Sequence, residues 1–361
     1  MELSGYVIYT VLVCYKLPRW CSISCQLSED FVLNKIYKYT PLRLDFFDNL
    51  MIRASQKYAL NDPFELRPSH KIKGSKTNKD DFKALAEQSY FDYAVVSLTE
   101  TNNNLLMWSH YADQHKGIVI EFDTSEPLFD LYKSSPTTML DEDLDEEVIE
   151  QEDAKIKSEI NAGVIQRVRY NTSRPNMKEF DSIREHFLIK SEEWIYEKEH
   201  RVILPLVTAD RIIVNEKYLP EIEHYAYSPD VLNKKLIANG MYMISLKEPL
   251  LEEARGLLPY DGEYVTREEL QLAFVESIIH AYLQKISEDP TTIFLYQVPP
   301  KAVKSVYLGC KVTDDERNDV LNKINGNSNL SHVDIYQART NSERFELNFE
   351  KHTSRLKEQQ K

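Results

Sequence analysis

Leu105-Leu-Met-Trp-Ser-His-Tyr-Ala-Asp-Gln-His-Lys-Gly-Ile-Val-Ile-Glu-Phe-Asp123 decides how this chain is read. Asn102 or Asn103 offers a side-chain cap at the front of a helix carrying Trp108 and His110. Gly117 ends that helix, and Gly117 to Phe122 is the next strand. Trp108, His110, Tyr111, Asp113 and His115 fall within eight residues. A binding site needs aromatic walls and a few fixed polar groups, and that density suggests one. For Trp108 and Tyr111 the alternatives are core packing and cleft wall.

Working outward, Tyr93–Leu98 is a buried strand, and Lys35–Thr40 alternates as an aromatic-rich one. Pro41 opens a helix striped by Leu42, Leu44, Phe46, Phe47 and Leu50, and Met51–Ser55 is a short strand. Asn61-Asp-Pro-Phe-Glu65 reads as a tight turn, with a second role as a loop edging a cleft. A basic loop over 71–83 leads into a helix, and residues 141–153 hold nine acidic residues, a solvated helix or tether. Arg184 to Lys190 continues as a helix, and Trp194 to Leu206 is a long strand. Thr266-x-x-Glu269 is a capping box opening a helix to Tyr282. Val303–Leu308 is a strand, Thr313-x-x-Glu316 caps a helix that Gly326 stops, and strands follow near 333–338 and 344–349. The fold class is α+β: a mixed, mostly antiparallel sheet core with surrounding helices and a helical insertion. The expected organisation is an extension over 1–31, a core over 32–206 and 299–350 divided by an insertion or helical subdomain over 207–298, and a charged tail over 351–361.

The chain has 361 residues and a formal net charge of −14. Binding duplex nucleic acid through counterion release calls for a basic face, so no duplex partner is expected. Nine glycines and no GxGxxG or P-loop motif disfavour a glycine-rich phosphate loop. Cys14, Cys21, Cys25 and Cys310 include no CxxC pair, so free thiols in a reducing cytoplasm are expected. The apolar run Tyr6–Cys14 is too short to span a bilayer, which takes about 20 residues, and no membrane span is expected.

In Trp194-Ile-Tyr-Glu-Lys-Glu-His-Arg-Val-Ile-Leu204, a period of two puts Ile195, Glu197, Glu199, Arg201 and Ile203 on one face. Three charges between two isoleucines suit either the floor of a cleft or a solvent-facing ion-pair ladder. In a cleft, burial would raise a glutamate's pKa and Arg201 would lower it. A carboxylate held ionised can stabilise positive charge on a sugar ring or act as general base. His110 and Asp113 share a helix face, and with His115 they form a candidate metal set; the other reading is a helix cap or a backbone bond. Ser97 and Ser109 lack a G-x-S-x-G context, against a serine hydrolase.

Ile36–Thr40, Asn61–Glu65, Val96–Thr99, Leu106–Asp113 with His115–Ile118, Trp194–Arg201 and Val306–Gly309 together resemble a bacterial family, domain of unknown function 2971. The order of elements is also similar to that of ADP-ribosyltransferases, with Glu197-Lys-Glu199 in the place of their Glu-x-Glu. That resemblance implies NAD as cofactor, Glu199 stabilising a ribosyl cation and Glu197 orienting an acceptor, with Arg201 beside them. It puts Tyr39, Trp108 or Tyr111 against the nicotinamide or adenine, with Ser109 and His110 on the same helix. Lys38 is the nearest match to the family's first-strand basic residue. The function expected first is an ADP-ribosyltransferase-like enzyme with a small nucleotide ligand and no metal, in phage defence or as a toxin-like effector. The rivals are a metal-dependent hydrolase or nuclease using His110, Asp113 and His115, and a non-catalytic ligand- or partner-binding module.

Overall fold

The computed structural model describes residues 34–67, 93–129, 163–174, 184–206, 209–225, 232–246 and 285–352. In chain order the first strands are β1 (Lys35–Thr40), β2 (Met51–Ala54), β3 (Tyr93–Thr99), β4 (Ile118–Asp123) and β5 (Gln166–Arg167). Next come β6 (Arg169–Asn171), β7 (Ile189–Ser191), β8 (Glu199–Pro205), β9 (Arg211–Asn215) and β10 (Leu232–Ala238). The last are β11 (Met241–Leu246), β12 (Ile293–Gln297), β13 (Val303–Leu308), β14 (Asp334–Thr340) and β15 (Leu347–Lys351). The α-helices are α1 (Phe46–Asn49), α2 (Leu105–Tyr111), α3 (Arg184–Phe187), α4 (Leu219–Tyr225) and α5 (Asp314–Gly326).

Eight strands form one sheet in the order β15-β14-β13-β4-β1-β3-β8-β5, antiparallel throughout except for the parallel pair β13 and β14. Five more form an antiparallel sheet, β10-β11-β9-β12-β2. The architecture is α+β with mixed, mostly antiparallel sheets. The centre of the large sheet is apolar on both sides: Ile118, Val119 and Ile120 of β4 are sealed, as are Val202, Ile203 and Leu204 of β8. Burial on both faces erases the apolar-polar alternation that a half-exposed strand shows.

One face of the sheet is capped by α2. Tyr37 and Tyr39 of β1, Val119 of β4 and Tyr307 of β13 pack there against Met107, Trp108 and Ala112. The helix starts where its cap is strongest. The Asn104 side chain accepts from the N–H groups of Leu106 and Met107, so Asn104 is the cap rather than Asn102 or Asn103. Asp113, Gln114 and His115 then take positive φ values of 45°, 53° and 71°. This left-handed turn brings Gly117 under Thr40, where a Cβ would lie 2.3 Å from the Thr40 carbonyl oxygen. Only glycine tolerates that approach.

Several elements depart from the expected ones. The helix after Pro41 is the single turn α1, followed by Leu50 at a φ of 54°, because the chain must reverse at once into β2. The helix expected to reach Lys190 stops at Phe187, and Ile189–Ser191 pairs with β6. The long strand expected from Trp194 is two elements. Glu192–Glu197 is a 3-10 helix capped by Ser191, Lys198 turns with a φ of 45°, and only then does β8 begin. The described part of 207–298 supplies β9 to β12 and α4, and these strands complete a sheet with β2. The helix expected over 266–282, the basic loop 71–83, the acidic run 141–153, the 1–31 extension, most of the 351–361 tail and Cys14, Cys21 and Cys25 lie outside the described residues. Among the described residues no helix is long and apolar enough to cross a membrane.

Candidate functional site: a buried ion network beside a cleft

The sharp turn at Lys198 has a chemical consequence. It swings Glu197 and Glu199 toward the same interior point, although one ends a helix and the other opens a strand. Both side chains are buried, and Arg201, one pleat along β8, is fully buried with them. The Arg201 guanidinium donates through Nε to Glu199 at 2.7 Å and through Nη2 to Glu65 at 2.6 Å, while Nη1 donates to the Phe187 carbonyl at 2.8 Å. Lys190 of β7 enters from the opposite side. Its ammonium meets Glu197 at 2.7 Å, Glu65 at 3.0 Å and Glu199 at 3.1 Å, and lies 4.9 Å over the Trp194 ring. Helix α2 contributes Tyr111, whose hydroxyl donates to Glu197 at 2.5 Å. The Glu199 backbone N–H donates to the Tyr170 hydroxyl at 2.7 Å.

Three carboxylates and two cations therefore share one buried volume. Their electrostatics are set by burial against mutual attraction. Burial alone would raise the Glu199 carboxyl, but Arg201 and Lys190 overcome it and hold it below the carboxylate range. Burial prevails at Glu197 and pushes it up, with Lys190 opposing. Burial works against the Lys190 ammonium and the Arg201 guanidinium, yet the facing glutamates hold both above their ordinary values. Burial and the Glu197 charge together raise the Tyr111 hydroxyl. Such a cluster adds little net stability, because desolvation consumes most of the attraction. Clusters with opposed shifts concentrate where chemistry or recognition happens.

Beside the network opens a cleft of about 310 Å³, and Lys190 and Glu65 belong to both. Its other walls include Asp62 and Phe64 from the Asn61–Glu65 turn, and Arg174 and Ser191 from across the cleft. Phe64 is 61% exposed, with the Arg174 guanidinium 5.9 Å over its ring. Asp62 forms the turn by accepting from the Phe64 N–H at 2.8 Å.

The residues singled out in the sequence separate into three groups. Glu197, Glu199, Arg201 and Tyr111 converge. Lys38 lies close enough to Glu199 to feel its charge, yet its ammonium donates to the Ser97 carbonyl at 2.9 Å, and burial lowers its pKa to about 8. Tyr39 and Trp108 belong to the core. Trp108 has no exposed surface, its indole N–H donates to the Asn102 carbonyl at 2.8 Å, and Tyr39 stands edge-on to it at 5.5 Å. A sealed ring offers no face for a nicotinamide or adenine to stack on. Ser109 and His110 are exposed on the outer side of α2. The set His110, Asp113 and His115 does not converge. His110 and Asp113 are exposed, and His115 stacks on Trp108 at 6.3 Å with the planes 7° apart. Among the described residues no group of three His, Cys, Asp or Glu side chains could hold a metal ion.

Sequence reasoning missed Lys190 and Tyr170, which reach the network only through tertiary folding. It also missed the 3-10 helix, for which a signal exists: Ser191 followed by Glu192 and Glu193 is a helix-start pattern. No curated protein and no solved structure matches this chain. A family model described as a protein of unknown function (DUF2971) matches residues 107–202, from the middle of α2 into β8, a span that holds Tyr111, Lys190, Glu197, Glu199 and Arg201 of the ion network but not Glu65.

Proposed function

We propose that the chain binds a small nucleotide in the cleft bounded by the Asn61–Glu65 turn, Arg174 and Lys190, with the ion network as its rigid floor. One observation carries this reading: an exposed aromatic ring, two cations and two carboxylates converge on a single cleft. Phe64 gives a planar base a surface, Arg174 gives a phosphate a forked donor, and Asn171, Thr172 and Ser173 give sugar hydroxyls polar partners. Lys190 is already committed to three glutamates, so its role is to fix the floor rather than to chase a ligand. Titration calorimetry with AMP, ADP and NAD tests the reading. Saturable binding that weakens about tenfold or more in Phe64→Ala and Arg174→Ala is the expected result, and no saturable heat with any of the three overturns it.

The split between Glu197 and Glu199 favours a second step on the same ligand. Burial raises the Glu197 carboxyl, whereas Arg201 and Lys190 hold the Glu199 carboxyl low and ionised. Transfer from NAD breaks the bond between ribose C1′ and the nicotinamide nitrogen, and nicotinamide leaves neutral without an acid. A carboxylate held ionised, as Glu199 is, would stabilise the ribosyl cation, and a more basic one, as Glu197 is, would take the acceptor's proton. On this reading the nucleotide is NAD and the reaction is ADP-ribosyl transfer. Both glutamates are enclosed by Lys190, Arg201 and Tyr111, so this step requires the network to open toward the ligand. Incubation with NAD, following nicotinamide release and labelled product, decides it: binding without nicotinamide release leaves a binding module.

A further inference from the structure

We propose that Asp62 is the residue that selects a ligand bearing free sugar hydroxyls, a deepening that rests on the nucleotide reading of the cleft. Asp62 lines the cleft and is only 6% exposed. Its two carboxylate oxygens have different fates. Oδ1 accepts from the Phe64 N–H and forms the turn, whereas Oδ2 is buried with no hydrogen-bond partner. Neighbouring Glu65 is the contrast. It is equally buried, and both of its oxygens are taken, by Lys190 and Arg201.

An unpartnered buried carboxylate oxygen costs free energy that the fold does not recover. A turn at this position needs only one acceptor oxygen, and Asn or Ser would supply it. The second oxygen is thus surplus to the turn, on a side chain that lines the cleft. Its demand is for a donor. A phosphate has none to give at neutral pH, so the donors a nucleotide can offer are the amino group on its base edge and its sugar hydroxyls. A carboxylate accepting from a ribose hydroxyl is a recurrent way to recognise a nucleotide, and the sugar is the part we assign to Asp62. The polar side chains of Asn171, Thr172 and Ser173 on the facing wall suit the same hydroxyl-rich group.

The test compares a ribonucleotide with its 2′,3′-dideoxy analogue, ADP against dideoxy-ADP, on the full chain. Wild type is expected to prefer ADP by about tenfold or more, the discrimination that a site built to bond a hydroxyl shows when the hydroxyl is missing. Asp62→Asn keeps an oxygen for the Phe64 N–H but offers an amide donor in place of Oδ2. It should bind dideoxy-ADP as wild type does and lose the preference. Asp62→Ser, which retains only the turn-forming oxygen, serves if the Asn variant does not fold. Equal wild-type affinity for the two nucleotides, or a preference that survives both substitutions, overturns the assignment of Asp62 while leaving the nucleotide cleft standing. Absence of binding by either nucleotide overturns both.

Discussion

Arg201 is the residue on which the network turns. It lies at the centre of β8, fully buried, and its guanidinium spends donors on Glu199, Glu65 and a backbone carbonyl. No other side chain type matches that pattern, because only guanidinium presents a rigid fork of five donors. Removing it would strand two buried carboxylates facing Lys190 alone. Arg201→Met should therefore cost about 3–5 kcal/mol, the usual penalty for breaking one side of a buried pair. Combining it with Glu199→Leu should cost less than the single change, since the second substitution removes a charge the first leaves uncompensated. Urea denaturation checks both. A single variant within about 1 kcal/mol of wild type would mean that water reaches these groups and that they pair only loosely. The sequence made Glu197, Glu199 and Arg201 conspicuous as charges between isoleucines, yet it left open whether they faced a cleft or solvent. That choice depends on Lys190, seven residues before Glu197, and on Glu65, far earlier in the chain, and local patterning is silent on both.

At the scale of elements, the joint between α2 and β4 shows how much the backbone does that side-chain patterns do not reveal. Helix, glycine and strand were all legible around Gly117. The three left-handed residues between them were not, because Asp and His favour positive φ only weakly beside glycine and Gln gives no sign of it. The turn is held from outside: the Gly309 N–H donates to the Gly117 carbonyl at 2.9 Å, and the Lys311 N–H to the His115 carbonyl at 3.0 Å. A Cβ on Gly309 would stand 2.1 Å from the His115 carbonyl oxygen, a clash with backbone that no rotamer relieves. Gly309→Ala should thus destabilise by about 3 kcal/mol or more, at the upper end for overpacking. It should also loosen α2, and with it the Tyr111 bond to Glu197, so thermal unfolding and amide exchange in Leu105–Tyr111 should move together. Unchanged exchange in that helix would separate the turn from the site. The capped helix α5 and strands β1, β3 and β13 were readable because caps and short apolar or aromatic runs act locally. The hairpin joining β10 and β11 escapes periodicity, although Asn239-Gly240, with φ values of 52° and 71°, marks it in sequence.

Across the whole molecule, the response to acid follows from which groups the fold keeps neutral. His186 is buried edge-on against Phe187, and burial lowers its pKa to about 4, partly offset by a backbone bond at Leu66. Burial also lowers His200 and His115. A histidine depressed in the fold takes up its proton first in the unfolded chain, near pH 6.5. From there down to about pH 4 the unfolded state binds more protons, so stability falls as pH falls and the loss is complete below the folded value. For His186 the shift is worth about 3 kcal/mol. Glu199, held below its ordinary value, adds a loss of the same sign as pH falls below the carboxylate range. Glu197 opposes: its folded pKa is raised, so its contribution is present at low pH and lost as pH rises. The chain's charge of −14 also shrinks in magnitude on acidification, which relieves self-repulsion and again opposes. These opposing contributions make the wild-type curve alone ambiguous, and a difference removes them. His186→Gln does not titrate, so its stability between pH 6.5 and pH 4 should fall by about 3 kcal/mol less than wild type, measured by urea denaturation at fixed ionic strength. Parallel curves for the two proteins would show that His186 meets water in the folded state and that the packing of α3 against the sheet is open.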